Sequence, residues 1–157
     1  MTWAVVDEAP QYVVSDDGRV ARRMADGSLR PLKAFPVTSG HLSVGLYPLP
    51  RNKVTRHVHA LVARAFLGPA PEGLEVRHLD GDKAHNGAEN LAYGTRSENV
   101  LDRVRHGTHH EANKTHCPKG HPYSPENTYY RPDRRPGTGR MCRVCRAGAA
   151  RRNTERR

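Results

Sequence analysis

Short apolar runs separated by turn residues occur along the first fifty residues, and one of them alternates apolar and polar positions with a period of two, which predicts β-strands. Leu42, Val44 and Leu46 show the alternation. Ahead of them, Asp17-Gly18 separates two apolar-rich runs, and an Asp-Gly pair in such a position is typical of a hairpin turn. Residues 1–54 are therefore predicted to form a β-rich module.

The pattern changes to a helical period after residue 57. Five apolar residues lie on one face of a helix of about ten residues, and they are Val58, Leu61, Val62, Ala65 and Phe66. Gly68-Pro69 follows and is predicted to end this helix.

A strand, a polar loop, a second strand and a helix are predicted next. Residues 74–76 and 91–93 are short strand candidates, and the segment between them is mostly polar. Thr95 and Glu98 match the S/T-x-x-E capping box that begins a helix, and Gly107 marks its end. The order is that of a ββα unit, and it places Asn99 in the first turn of the helix.

The rest of the chain is polar and histidine-rich up to about residue 115 and strongly basic at its end. The segment from Arg131 to Arg157 contains ten arginines and only two acidic residues. We predict four segments: the β-rich module at 1–54, the ββα core at 55–107, a basic unit at 108–150 and a solvated basic tail at 151–157.

The charge balance favours a polyanionic partner. The formal net charge is +10, from 26 Lys and Arg against 16 Asp and Glu, and the pI is about 10.1. Nucleic acid is the first candidate. No stretch approaches the ~20 apolar residues of a membrane-spanning helix, and the N-terminus lacks the pattern of a signal peptide. We therefore expect no membrane partner and a cytoplasmic protein.

Three polar residues of the ββα unit are candidates for chemistry: His78, Asn90 and Asn99. Taken singly, the histidine would be a hydrogen-bonded structural residue and the asparagines turn and cap residues. Their joint spacing within a small unit favours a site instead. A neutral imidazole can take a proton from water near neutral pH, and an amide oxygen suits a hard cation such as Mg²⁺.

This part of the sequence resembles the HNH endonucleases, in particular the phage and intron-encoded homing type. Residues 75–82, Asn86, residues 89–91 and residues 94–99 carry the resemblance, which extends to the helix at 58–66 and to residues 12–20. It implies an α+β fold with a ββα-metal (His-Me finger) nuclease core, an N-terminal β-hairpin module that contacts DNA and a small C-terminal zinc unit. It also implies hydrolysis of double-stranded DNA, by nicking or by cutting both strands, in the host cytoplasm if the chain is phage-encoded.

The resemblance assigns a role to each of the three residues. In that family the first histidine is the general base, the middle asparagine braces the loop and the helix residue binds one divalent metal. Carried over, these roles fall to His78, Asn90 and Asn99, with Mg²⁺ or Mn²⁺ as the metal. His59, beside the apolar stripe of its helix, is interpreted as a packing or phosphate-contact residue.

One position departs from the family. Many members have an aspartate immediately before the catalytic histidine as a second metal ligand, whereas this chain has Arg77. We expect the metal to be coordinated by Asn99, with Asp80 or Asp102 as a second ligand. Arg77 or Arg96 would then bind a phosphate.

Arg77 also supports an alternative function, that of a DNA-binding protein that keeps the HNH scaffold without cutting. A second alternative is an assembly partner in viral DNA packaging, in which cleavage serves a phage terminase.

A separate metal site is predicted near the C-terminus. Cys117 and His121 form a C-x₃-H pair, and Cys142 and Cys145 form a C-x₂-C pair. Four such ligands make a closed, structural zinc site, and three cysteines cannot complete a disulfide framework. Similar units end many phage HNH proteins. His116 is an alternative ligand, but its place directly beside Cys117 makes His121 the better choice.

The arginines of the basic unit are expected to face DNA phosphates. Arg140 and Arg143 are the main candidates, joined by Arg131, Arg134, Arg135 and Arg146.

Overall fold

The computed structural model describes residues 1–132 and 139–154, with residues 150–154 described by their backbone alone. A four-stranded antiparallel sheet comes first, with β1 (Trp3–Val5), β2 (Tyr12–Ser15), β3 (Val20–Arg23) and β4 (Leu29–Pro31) in sequential order. The predicted hairpin between β2 and β3 is confirmed. Gly18 has a φ of 88° in its turn, a left-handed conformation that glycine adopts without steric cost.

A second antiparallel sheet contains β5 (Phe35–Pro36), β6 (Leu42–Leu49) and β7 (Asn52–His57). The predicted strand is confirmed as β6, in which Val44 and Leu46 are fully buried, Leu42 is partly buried and the intervening Ser43 is also fully buried. β7 leads directly into α1 (Val58–Phe66), whose apolar face is the predicted one.

Both sheets and α1 pack on one hydrophobic core. The buried members of this core lie on both sides of the boundary predicted at residue 54, and they are Val6, Ala9, Tyr12, Val14, Val20, Val44, Leu46, Val58, Leu61, Val62, Ala63 and Leu91. This core lies in the first of two compact units, Met1–Asn99 and Val100–Arg157.

The predicted ββα order is also confirmed. β8 (Glu75–His78) pairs in antiparallel register with β9 (Leu91–Gly94), which follows a short 3₁₀ turn at Ala88–Asn90, and α2 (Arg96–Arg105) comes next. The Thr95 amide donates to Glu98 Oε2 at 2.8 Å, and the Glu98 amide donates back to Thr95 Oγ1 at 3.2 Å. This reciprocal capping box fixes the first turn of α2.

The second unit contains α3 (His110–Asn113), β10 (Thr128–Tyr130), β11 (Arg140–Cys142) and α4 (Arg143–Thr154). α3 lies in the polar, histidine-rich segment, and its first turn is capped by His109, whose Nδ1 accepts from the Ala112 amide. α4 continues through the first four residues of the predicted solvated tail. Arg134, Arg135 and residues 155–157 lie outside the described residues.

No helix in the part of the chain that the structure describes is both long enough and apolar enough to span a membrane.

Four histidine rings meet where β6, β7, α1 and β8 come together. His41 and His59 have ring centroids 4.7 Å apart, and His59 lies 5.2 Å from both His57 and His78. Burial, followed by the neighbouring imidazoles, lowers the pKa of His59 to about 3. Burial, followed by the charge of Lys83, lowers the pKa of His41 to about 4. Both rings are therefore neutral near neutral pH.

This cluster should make folding sensitive to acid. The pKa values of His41 and His59 in the folded chain lie below the ordinary value of 6.5, so the unfolded chain binds more protons below that pH. Their contribution to stability is present above about pH 6.5 and is lost as the pH falls towards about 4. We expect the urea midpoint to fall between about pH 7 and about pH 5, and to fall less in a His59→Gln variant. A His106→Gln variant, at an exposed position, is the control, and equal slopes in all three proteins would contradict the expectation.

Candidate functional site

His78 is the last residue of β8 and is 8% exposed. Its Nε2 lies 3.1 Å from Oδ1 of Asn86, which is itself buried. The Asn86 amide group is oriented by its other end, because its Nδ2 donates to the Ala84 carbonyl oxygen at 2.9 Å. Since the amide oxygen can only accept, His78 must carry its proton on Nε2. The neutral ring therefore keeps Nδ1 as its basic atom.

Asn90 braces the loop that follows His78. Its Nδ2 donates to Asp80 Oδ1 and to the His85 carbonyl oxygen, both at 2.9 Å, and its Oδ1 accepts from the Asp80 amide at 3.1 Å. The Leu79 amide also donates to the backbone oxygen of Asn90 at 2.9 Å. The role that the resemblance assigns to Asn90 stays a prediction, and these contacts join the two ends of the loop.

Asp80 is engaged on both carboxylate oxygens. Oδ1 accepts from Asn90 and from the Asp82 amide, and Oδ2 lies 2.7 Å from His85 Nδ1. Hydrogen bonds from His85, and then from Asn90 and Asp82, hold the pKa of Asp80 well below its usual range. The same contact with Asp80 raises the pKa of His85. The metal role of Asp80 stays a prediction, and the contacts observed are those of a second brace for the loop.

Asn99 faces Glu75 across the ββα unit. Its Nδ2 lies 3.2 Å from Oε2 of Glu75, the first residue of β8. Successive side chains of a strand point to opposite faces, so Glu75 and Arg77 share one face of β8 and His78 takes the other. Among the described residues no hydrogen bond joins the side chains of His78 and Asn99.

Arg77 lies along the same face as Glu75. Its Nη1 is 3.3 Å from Glu98 Oε1, and its side chain is only 14% exposed. A Cβ atom on Gly94 would overlap Arg77 Cδ, so the Arg77 side chain lies in the space that a side chain at position 94 would enter.

α2 carries two further candidate site residues, Arg96 for phosphate and Asp102 for the metal, and they differ in exposure. Arg96 is exposed at the first residue of the helix. Asp102 is buried in the second unit, and its Oδ1 lies 3.3 Å from Arg105 Nη1. The phosphate role of Arg96 and the metal role of Asp102 stay predictions.

Sequence reasoning missed part of this site. Asn86 was recognised within the motif without a role, and Glu75, His41 and His57 were not singled out. The sequence did offer a way to find Glu75. It lies two positions before Arg77, where many family members have a metal-binding aspartate, and it is therefore an acidic residue on the same face of the strand. His41 and His57 come from a different sheet, so no local pattern places them beside His78.

The four predicted zinc ligands lie together in the second unit. His121 Nδ1 lies 3.3 Å from Cys145 Sγ, 3.4 Å from Cys117 Sγ and 3.7 Å from Cys142 Sγ. The Cys117 and Cys145 sulfurs are 3.7 Å apart. A tetrahedral Zn²⁺ with bonds of about 2.3 Å to sulfur and about 2.0 Å to nitrogen separates its ligands by roughly 3.5 to 3.8 Å. The donor set and its spacing therefore fit zinc.

Backbone and side-chain donors support the sulfurs of this cluster. The Cys145 amide donates to Cys142 Sγ at 3.4 Å, and Asn127 Nδ2 lies 3.5 Å from the same sulfur. Burial acts to raise the pKa of Cys142, but these donors outweigh it and lower that pKa to about 6. Burial, with the neighbouring Cys117 and Cys142 thiols, raises the pKa of Cys145 to about 11. His116 is not one of the four clustered residues.

The basic residues beside the cluster also make contacts within the second unit. Arg140 Nη2 donates to the Lys114 carbonyl oxygen at 2.8 Å, and its guanidinium lies 4.4 Å from the centroid of the Tyr123 ring. Arg143 Nε donates to the Thr128 carbonyl oxygen at 3.1 Å. These contacts hold both guanidinium groups in place, and their binding to phosphate stays a prediction.

Comparisons with known proteins agree with the geometry of the ββα unit. Residues 56–101 match the family model for HNH endonucleases. YosQ, an SPbeta prophage-derived protein of Bacillus subtilis (strain 168) that is assigned as an HNH homing endonuclease, is 31% identical over 65% of this chain and 57% of its own length. The DNA endonuclease I-HmuI of Bacillus phage SP01 is 36% identical over 62% of this chain and 53% of its own length.

A solved structure described as DNA binding and cleavage by the HNH homing endonuclease I-HmuI aligns with a TM-score of 0.60. It is 33% identical, and the alignment covers 69% of this chain and 60% of that one. This chain thus spans little more than half the length of the curated relatives YosQ and I-HmuI. With the histidine at the end of β8, the braced loop and the capped helix in the order of the family motif, residues 56–101 of this chain resemble the HNH endonuclease family.

Proposed function

We propose that the chain is an endonuclease that hydrolyses phosphodiester bonds in double-stranded DNA. The observation that carries the proposal is the buried His78, oriented by Asn86 at the end of β8 within a segment of HNH type. The relative I-HmuI is described as binding and cleaving DNA. The formal net charge of +10 supports a DNA substrate for this chain.

His78 is the proposed general base. Its Nδ1 takes a proton from the attacking water, and the water oxygen forms a bond to phosphorus as the bond to the leaving oxygen breaks. The leaving oxygen takes a proton from solvent.

The polar groups on the other face of β8 fit a divalent cation. Asn99 Nδ2 lies 3.2 Å from Glu75 Oε2, so the two side chains are neighbours, and the Asn99 amide oxygen and the Glu75 carboxylate are ligands of the kind that Mg²⁺ or Mn²⁺ prefers. Glu75 would thus supply, two positions earlier in the strand, the carboxylate that family members place where this chain has Arg77. When bound, such a cation supplies positive charge beside the phosphate and the leaving oxygen.

Phosphate binding is assigned to exposed cationic groups. Arg96 stands at the N-terminus of α2, where the helix dipole also favours an anion. Arg77 is paired with Glu98. The rival function, DNA binding without cleavage, is supported by the presence of an arginine where many family members have a metal-binding aspartate. The cleavage experiment below separates these two functions. A terminase partner and a cytoplasmic location stay expectations from the sequence.

Supercoiled plasmid incubated with the protein and Mg²⁺ should become nicked or linear. Removing the base in His78→Ala should lower the cleavage rate by about 10² to 10⁴-fold, the usual contribution of a general base. His106→Ala, at an exposed position, is the matched control and should cleave normally. Gel-shift binding in EDTA should be equal for all three proteins. Binding without cleavage by the wild-type protein would establish the non-cleaving alternative.

The metal assignment predicts a change in cation dependence. Glu75→Gln keeps the size of the side chain and removes its charge, so the Mg²⁺ concentration for half-maximal cleavage should rise about tenfold or more. Glu72→Gln, also exposed and just ahead of β8, should leave it unchanged. A titration of cleavage rate against Mg²⁺ measures both. Equal titration curves would remove Glu75 from the site.

The purified protein should hold about one zinc ion per chain. Cys142→Ser should abolish zinc binding, because it removes a ligand and the sulfur bonded by Cys145 and Asn127. His116→Ala should retain the metal, since His116 is outside the cluster. Elemental analysis gives the metal content, and limited proteolysis should show the second unit cut faster after loss of zinc. If the Cys142→Ser protein contains as much zinc per chain as the wild type, this assignment is wrong.

A further inference from the structure

We propose that the first hairpin turn, Asp16–Gly18, is a positioning element for His78 that acts through Asn86. The proposal rests on the proposed function for the role of His78, but its structural part concerns only which nitrogen of that ring carries the proton. The turn belongs to the N-terminal β-sheet, which the family match over residues 56–101 does not include.

The turn touches the Asn86 segment at two points. A Cβ atom on Gly18 would lie 3.1 Å from three atoms of Asn86, its carbonyl carbon, its carbonyl oxygen and its Cβ. The Ala88 amide donates to the Asp16 carbonyl oxygen at 2.7 Å. The backbone on both sides of Gly87 is therefore placed directly against the hairpin.

The turn itself is held firmly. The fully buried Ser15 hydroxyl accepts from the Arg19 amide at 2.9 Å, and the Gly18 amide donates to the Ser15 carbonyl oxygen at 3.1 Å. On its outer side, Asp16 exchanges hydrogen bonds with Thr2, through its own amide at 3.0 Å and through its carboxylate at 2.9 Å. A turn fixed in this way is a rigid surface for Asn86 to rest on.

The position of Asn86 determines the tautomer of the His78 ring through one hydrogen bond. The Asn86 oxygen holds the Nε2 proton of His78, and a displaced Asn86 would let the ring adopt the other tautomer, with Nδ1 protonated. A ring in that tautomer cannot take a proton from water at Nδ1. Asn86 and the turn are positioning residues, since they act on the base and not on the DNA.

The chain offers a matched pair of glycines for the test. Gly18 and Gly27 occupy successive turns of the same sheet with φ values of 88° and 82°. An added Cβ would meet Asn86 at position 18 and nothing within 4 Å at position 27. Gly18→Ala and Gly27→Ala therefore carry the same backbone strain, and only the first pushes on Asn86.

Nuclear magnetic resonance of the ¹⁵N-labelled full chain reads the tautomer directly. The His78 signals are identified by their loss in His78→Gln. Wild type and Gly27→Ala should show Nδ1 unprotonated and Nε2 protonated, and Gly18→Ala should add a population with Nδ1 protonated. The cleavage rate should fall about tenfold or more in Gly18→Ala and stay within about twofold in Gly27→Ala.

Further variants keep the result decisive. Should Gly18→Ala fail to fold, Gly18→Asn and Gly27→Asn replace the pair, because asparagine tolerates the left-handed conformation better while still adding a Cβ. Asn86→Asp keeps an acceptor and should keep the wild-type tautomer, whereas Asn86→Ala should lose it.

The outcomes separate the two proposals. A tautomer shift in the Gly18 variants alone supports the positioning role, even if the wild-type protein proves unable to cut DNA, in which case only the nuclease proposal fails. An unchanged tautomer in the Gly18 variants, or Nδ1 protonated in the wild type, overturns the positioning role.

Discussion

A single hydrogen bond, from His78 Nε2 to the Asn86 amide oxygen, is the constraint on which the site depends. A neutral imidazole has one protonated and one basic nitrogen, and only a partner of fixed polarity decides which is which. Asn86 has fixed polarity because its amide nitrogen is engaged with Ala84. The remaining parts of the first unit, from the loop braced by Asn90 to the hairpin against Gly87, keep that bond in place.

The sequence predicts well what is settled locally. The Asp17-Gly18 turn, the strand β6, the Thr95 capping box and the pairing of Cys117 with His121 each depend on residues within about five positions of each other. All four features are present in the structure. The metal ligands from the two ends of the basic unit also meet, because zinc ligation uses few residue types at narrow spacings.

The features that could not be predicted from the sequence are contacts that depend on how the chain folds in three dimensions. His41 and His57 approach His78 only because a second sheet packs against α1 and β8, and no periodicity reports that contact. The metal role of Asp80 was predicted from its residue type and stays a prediction, but the contacts of its carboxylate with Asn90 and His85 could not be predicted from that type. The boundary drawn at residue 54 follows a change of period, and the core takes residues from both sides of it.

The contact of Arg77 with Gly94 ties two positions that belong to paired strands. A side chain at 94 would require the flexible Arg77 side chain to move, and a shorter residue at 77 would remove that conflict. Substitutions at the two positions are therefore coupled, because a side chain at 94 would displace the Arg77 guanidinium that lies 3.3 Å from Glu98.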